Sequence, residues 1–329
     1  DGMKLLNLFY YLFLTLQIVA CGTDTQSAAS GNPISGTPPN TSGNSVTVTN
    51  SGGTSTAEKS SFFLRLTDAP IDNAAKVVIT LLSVELIASG PDRSVLFEFT
   101  EPKVIDLLQL QGTQTIELLS NMEIDAGEYN EIRLVIDDSG MNSFIELSDG
   151  ATHALKIPSG STSGLKLKGS IVIPSNKPGK FTIDFDVRQS IVHAGKSSNY
   201  LLKPVLRIVD DSLVGHIRGT IDPALLTDAS CSDTDIDTNN AVYVFQGNNI
   251  AVDDIDLSSE LDVDPISTGV ISYDNETDRY IFESAFLTAG NYTIAFTCNA
   301  DQEDIESDNE LFFFNTQNVT VQVNDIQFL

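Results

Sequence analysis

From residue 60 onward, the apolar residues of this chain fall in short runs that recur at every second position. A period of two lines one face of a β-strand, whereas a helix would repeat near 3.6. Residues 128–136 (EYNEIRLVI) show it after the turn pair Ala126-Gly127, as do residues 165–173 (LKLKGSIVI) and 180–186 (KFTIDFD). The last two are predicted to form a hairpin around Asn176-Lys177-Pro178-Gly179. Lys166 and Lys168 would then pair across the strands with Asp184 and Asp186. Residues 74–88 (AAKVVITLLSVELIA) are rich in Val, Ile and Leu and are predicted as a buried strand. Residues 187–194, with Asp186 placed to cap and Gly195 placed to terminate, read as a short helix. Pro204 lies inside a strand candidate at 201–209 and argues for an edge or a bulge there.

Beyond Leu213 the same pattern recurs seven times, at 215–221, 241–246, 270–273, 279–284, 291–297, 311–314 and 318–325. Acidic turns separate these runs, the spacing expected of a β-sandwich. The fold class expected is all-β: two antiparallel β-sandwich domains in series, residues 60–211 and 212–329.

Charge divides the two regions. Residues 60–210 hold 19 Asp and Glu against 14 Lys and Arg. Residues 211–329 hold 23 acidic residues against only Arg218 and Arg279. Most of the formal charge of −27 therefore sits in the second region. No surface of this kind displaces counterions from phosphates, so nucleic acid is excluded as a partner. A strongly acidic region is usually just well solvated, and divalent cations are the functional alternative.

The amino-terminal stretch sets the location. Met3 reads as the natural start, and Lys4 precedes an apolar run from Leu5 that ends at Ile18-Val19-Ala20-Cys21. A charged start, an apolar middle and small closing residues make a secretion signal, too short for an ordinary membrane span. The closing tetrapeptide resembles the lipobox of bacterial lipoproteins. The resemblance implies a signal peptide over 1–20, cleavage before Cys21, and a diacylglycerol on the Cys21 thiol. It also implies outer-membrane placement, because Gly22 stands where an Asp favours retention in the inner membrane. Residues 22–59 are Gly, Ser, Thr, Asn and Pro with few large apolar groups, so no core can form there. They are expected to stay disordered, as a tether with a span of roughly 35 Å.

Two further cysteines, Cys231 and Cys298, form an even pair in an exported chain and are expected to be bridged. Chain-entropy treatment values so long a loop at about 4 kcal/mol.

A second resemblance rests on a series of motifs in fixed order. These are Thr67-Asp68-Ala69-Pro70, the Gly127-Glu128-Tyr129 strand through Leu134, Pro158-Ser159-Gly160 leading to Ser163-Gly164-Leu165, Asp184-Phe185-Asp186 with Ser190-Ile191-Val192, and Leu202-Lys203-Pro204-Val205. Together they are similar to the bacterial lipoprotein domain called domain of unknown function 4382 (DUF4382), over about Ser60 to Asp211. That family implies a fold and a cell-envelope setting and carries no assigned chemistry. In the second region, Ala289-Gly290-Asn291-Tyr292-Thr293-Ile294 resembles the strand opening of prealbumin-like and carboxypeptidase-regulatory-like domains. Ala126-Gly127-Glu128-Tyr129 echoes it. Gly permits the turn, while Tyr buries its ring and sends its hydroxyl to backbone.

Candidate chemistry is sparse. Asp233, Asp235, Asp237 and Asn239 present oxygens at alternate positions, as calcium loops do. Thr238 occupies the place of the turning Gly, and Val244 that of the closing Glu. A solvated acidic loop is the plain reading and a low-affinity calcium site the functional one; Asp253, Asp254, Asp256, Asp262 and Asp264 are read likewise. Gly160-Ser161-Thr162-Ser163-Gly164 carries Thr where a nucleophile elbow needs Ser. His153, His193 and His216 share no zinc spacing. Asp184 and Asp186 could flank a sugar as acid and base, but pairing with lysines is the simpler account. Phe312 and Phe314 could stack on a sugar, though core packing is commoner for such residues.

These observations lead to a non-catalytic cell-envelope lipoprotein that binds or scaffolds, with glycan or another envelope protein as its partner and no cofactor. A hydrolase acting on polysaccharide or peptide is the alternative from a different class, and a purely structural spacer the third. A cleft lined with convergent ionisable groups is the feature that separates them.

Overall fold

The computed structural model describes residues 45–51, 57–69, 71, 74–88, 94–158, 163–193, 200–232, 235–256, 263–305, 307, 311–314 and 316–329. Its strands run in order as β1 (Val46–Ser51), β2 (Lys59–Ala69), β3 (Ala74–Ala88), β4 (Ser94–Asp106), β5 (Ile116–Asp125), β6 (Gly127–Ile136), β7 (Phe144–Leu147) and β8 (Thr152–Lys156). They continue through β9 (Leu165–Ile173), β10 (Gly179–Asp186), the single-turn helix α1 (Val187–Ser190), β11 (Ile191–His193), β12 (Tyr200–Leu202) and β13 (Val205–Asp210). The second region holds β14 (Val214–Ile221), the short helix α2 (Pro223–Leu226), β15 (Ala241–Gln246), β16 (Ser267–Asp274), β17 (Arg279–Thr288), β18 (Gly290–Thr297), β19 (Gln317–Val321) and β20 (Ile326–Phe328). Among the described residues the chain is all-β apart from α1, α2 and two single turns of 3₁₀ helix.

In the first region two sheets face each other. One runs β1-β4-β3-β7-β8-β12-β11, with β6 and β9 branching from β3; the other runs β13-β10-β2-β5. The branch follows from length. Fifteen residues of β3 are enough to pair with β7 at one end and β6 at the other. Phe62, Leu64 and Leu66 of β2 meet Ile79, Val84 and Leu86 of β3 in one core. β9 obeys its alternation, with Leu165, Leu167, Ile171 and Ile173 buried while Lys166 and Lys168 face solvent.

In the second region a single path, β19-β18-β15-β16-β17-β14-β20, curls on itself through β16. Its core joins Val242 and Val244 of β15 to Ile217 of β14 and Phe282 of β17. The Cys231–Cys298 disulfide ties the loop after α2 to the end of β18, as expected.

The sandwiches are mixed where antiparallel sheets were expected. β2 and β10 are parallel neighbours, as are β8 with β12 and β14 with β20. Each parallel pair is separated by a long connection, which a crossover requires. The expected 165–173/180–186 hairpin does not form: β9 pairs with β6, while β10 enters the other sheet between β2 and β13. The stretch expected to be disordered holds β1, six residues that extend the sheet edge along β4. Backbone pairing suffices there, since five of the six side chains are exposed and contribute no core. Pro204 interrupts its strand, leaving β12 and β13 on either side and in different sheets. Residues 311–314 lie outside any strand, and the last candidate, 318–325, holds strand only to Val321 at the end of β19, with β20 beginning beyond it.

The two echoed Gly-x-Tyr motifs adopt the same local device. Tyr129 donates its hydroxyl to the Asp125 carbonyl at 2.9 Å, and Tyr292 donates to the Thr288 carbonyl, each four residues upstream. Both rings are buried. Each hydroxyl thus locks the corner between two strands. Tyr129→Phe and Tyr292→Phe should each lower the unfolding free energy by about 1 kcal/mol, the net worth of one buried hydrogen bond. Urea denaturation of the single and double variants checks both the size and the additivity expected for distant sites.

Candidate functional site

Residues 44–329 form one compact unit, and its two sandwich regions meet along the outer face of β10. That face carries Thr182, Asp184 and Asp186, the two acids being those expected from sequence to pair with Lys166 and Lys168. All three are buried. Thr182 donates to Asp211 Oδ1 at 2.7 Å, and Arg65 pairs with Asp211 Oδ2 at 2.6 Å. Asp184 pairs with Arg207 across β10 and β13, and Arg207 Nη1 donates at 3.0 Å to the Phe286 carbonyl of the second region.

Phe286 holds φ at 54°, a left-handed conformation rare for a bulky residue. Such strain costs about 1–3 kcal/mol and persists only when neighbours over-determine it. Here the Phe286 amide donates to His216 Nδ1 at 3.2 Å, its carbonyl takes Arg207, and its ring lies 5.8 Å from the Arg65 guanidinium. Accepting through Nδ1 leaves His216 neutral with its proton on Nε2. Burial, the largest cause, holds its pKa below the usual value.

Asp186 caps α1 as anticipated, but the helix stops at Ser190, residues 191–193 form β11 in place of its expected continuation, and Gly195 lies outside the described residues. Asp186 Oδ1 accepts from the Gln189 amide at 2.9 Å and its Oδ2 from Gln189 Nε2 at 3.0 Å. Gln189 Nε2 also donates to the Pro265 carbonyl at 3.1 Å, so the cap spans the seam. Burial pushes the Asp186 carboxyl up to about 7, with nearby Asp184 adding to the rise against the opposing Gln189 hydrogen bond.

Arg188, next along α1, is buried and donates through Nη1 to the Ala300 carbonyl at 3.3 Å, with its guanidinium 6.0 Å from the Tyr243 ring centroid. It lines a cleft of about 450 Å³ at the seam, walled by aliphatic side chains such as Ile145, Leu147 and Ile305. Glu303 lies in the same wall. Its Oε2 accepts from the Tyr243 hydroxyl at 2.6 Å and its Oε1 from the Ile255 amide at 3.1 Å. Burial nevertheless lifts its pKa to about 7. His193 and Tyr200 form the rim with ring centroids 4.9 Å apart, and His153 approaches Tyr200 at 5.2 Å. Strand register explains the gathering: His193 faces Tyr200 in the β11–β12 pair, and β8 runs beside β12. The cleft has the size of ordinary small-ligand sites and combines one buried cation, a carboxyl titrating near neutrality and aromatic faces.

The residues singled out from sequence distribute differently. Cys21 and Asp233 lie outside the described residues, as does Asp262. Asp235 accepts from the Asp237 amide at 3.1 Å, Asp237 accepts from the Tyr280 hydroxyl at 3.0 Å, and Asn239 turns through φ 61°. Asp254 and Asp256 are buried, with the Asp256 amide on Asp264 Oδ1 at 3.1 Å. Among the described residues no three His, Cys, Asp or Glu side chains gather to hold a metal. Lys166 and Lys168 do not meet Asp184 or Asp186; they stand opposite Arg133 and Glu131 of β6, because β9 and β10 belong to different sheets. Phe314 stacks on Phe296 at 5.2 Å while Phe312 is half exposed, and both line a second cavity of about 400 Å³. Arg188, Tyr200 and Glu303 were not anticipated as a site. They are remote in sequence, and only the meeting of the two regions brings them together.

Residues 59–204 match a family described as Domain of unknown function (DUF4382), in agreement with the resemblance read from the motifs. No curated protein matches the chain. Among solved structures, the Bacillus anthracis TIE protein is similar over 82% of this chain and 33% of its own, at 13% identity and a TM-score of 0.18. The chain therefore spans about a third of that protein's length. BcpA, the major pilin subunit of Bacillus cereus, is similar over 82% of this chain and 69% of its own, at 12% identity and a TM-score of 0.17.

Two outcomes test the seam. Asp186 and Glu303 keep their protons to about pH 7 when folded, but titrate at 3.8 and 4.5 as free groups. Between these limits the folded chain binds more protons than the unfolded one, so stability falls as pH rises from about 4 to about 7. Urea midpoints should be lower at about pH 8 than at about pH 5. The combined variant Asp186→Asn with Glu303→Gln should flatten the part of that slope not due to net charge. Separately, Arg207→Met should cost about 3–5 kcal/mol by stranding the buried Asp184 charge. Adding Asp184→Asn should restore part of the loss in a double-mutant cycle.

Proposed function

We propose that this chain is a non-catalytic, lipid-anchored cell-envelope protein whose two sandwich regions act as one body and bind a glycan in the cleft between them. The observation that carries the reading is the cleft itself. It is lined from both regions by Arg188, Glu303, His193 and Tyr200.

What favours binding over hydrolysis is how the carboxyl groups are employed. Asp184 is engaged by Arg207, and Asp186 is consumed in capping α1. Glu303 is held by Tyr243 and Ile255. A glycosidase needs two carboxyl groups facing each other across the scissile bond. The two acids of the cleft wall, Glu303 and Asp304, are instead neighbours on one segment, and each is already held by donors of the chain.

Lipid attachment at Cys21 is supported by the sequence Ile18-Val19-Ala20-Cys21 behind an apolar leader. Gly22 at the next position supports the outer membrane. The domain division of 1–20, 21–59, 60–211 and 212–329 belongs to the same proposal. Among the described residues no helix is long and apolar enough to cross a membrane.

Expressed in a bacterial host with its leader, the chain should fractionate with membranes. Mass spectrometry should then find a diacylglyceryl group on an amino-terminal Cys21. Cys21→Ala should release the protein to the soluble fraction. A free thiol with the leader still attached would overturn the anchoring.

A further inference from the structure

We propose that the seam cleft takes a saccharide bearing a carboxylate, a uronic acid unit of a polysaccharide, with Arg188 meeting the carboxylate and the His193–Tyr200 rim covering a face of the sugar ring. The inference rests on the glycan reading above and deepens it.

The chemistry of the wall selects this class. Among the described residues lining the cleft, Arg188 is the one permanent cation. The residue is buried, and its guanidinium is positioned from two sides, by the Ala300 carbonyl and the Tyr243 ring. A planar guanidinium held in place away from bulk solvent suits a planar carboxylate, since both present a fork of hydrogen-bonding atoms. In a chain of net charge −27 the long-range field opposes any anion, so a free acid has little reason to accumulate there. That field is screened within about 8 Å at physiological salt. A contact inside the cleft therefore outweighs it, provided the ligand also gains from its uncharged body.

The rim supplies that gain. The His193 and Tyr200 rings lie on neighbouring strands, tilted 44° to one another, and His153 stands on the other strand beside Tyr200, tilted 41° to it. A pyranose ring presents apolar C–H faces that pack on such surfaces while its hydroxyls remain in water. Glu303, which titrates near neutrality, can accept from a sugar hydroxyl when ionised and donate when protonated. Its protonation also lowers the negative charge that a bound carboxylate would face. The other acid in the wall, Asp304, is engaged by the Ser307 hydroxyl at 2.8 Å.

Isothermal titration calorimetry of the full chain in detergent micelles tests the assignment, using a glucuronic-acid oligosaccharide and a neutral glucose oligosaccharide of equal length. The acidic ligand is expected to bind at least about ten-fold more tightly. Arg188→Gln should remove that preference. Because Arg188 also supports the seam, a rim variant gives an independent reading: His193→Ala should weaken both ligands while leaving the preference intact. Equal binding of the two oligosaccharides would overturn the carboxylate assignment and leave the glycan reading standing. Binding of neither would overturn both.

Discussion

Arg207 holds the two halves of this protein in register. One end of its guanidinium pairs with Asp184 on the neighbouring strand, and the other donates to the Phe286 carbonyl in the second region. Neither contact could be replaced by apolar packing without stranding a buried acid or a buried carbonyl. A buried ion pair of this kind adds little net stability beyond an apolar equivalent, because desolvation offsets the attraction. Its consequence is positional. The fork fixes how far Phe286 sits from β13, and Phe286 in turn keeps its left-handed backbone because His216, Arg207 and Arg65 all hold it.

The cleft follows from the same face of β10. Asp186 turns the chain into α1, and two residues later Arg188 reaches across to Ala300. Gln189 ties that turn to Pro265. Arg188 and Gln189 thus join two regions whose main cores are separate clusters, beside two small apolar links, Val192 and Leu201 against Tyr243 and Phe245, and Val209 against Val214 and Phe286. Polar joints of this type demand that every partner be present, so the cleft is as rigid as the seam that builds it.

Much of the fold was legible. Strand identity came through wherever one face is buried and the other wet, as in β6 and β9. The helix cap at Asp186 and the paired tyrosine corners each follow from chemistry confined to four or five residues, whereas Pro204, read as an edge or bulge, in fact divides two strands. The Cys231–Cys298 bridge followed from cysteine number and compartment. What failed was pairing. The segments 165–173 and 180–186 looked like a hairpin because a turn lies between them, yet a turn is equally able to carry a chain from one sheet to another. β1 was missed because six exposed residues held by backbone bonds leave no hydrophobic signature.

By itself, then, the sequence determined that the chain is built of short strands, where the strands with one buried face lie, which cysteines join, and how its acidic charge is distributed. These are local properties, set by side-chain period, backbone restriction and composition. Only the tertiary structure decided that Thr182, Asp184 and Asp186 would be buried, and that Arg188, Tyr200 and Glu303 would share a cleft. The reason is that a strand's alternation specifies two faces but not what covers the second one. Here a whole second sandwich covers it, and the polar residues on that face became the joint between the two.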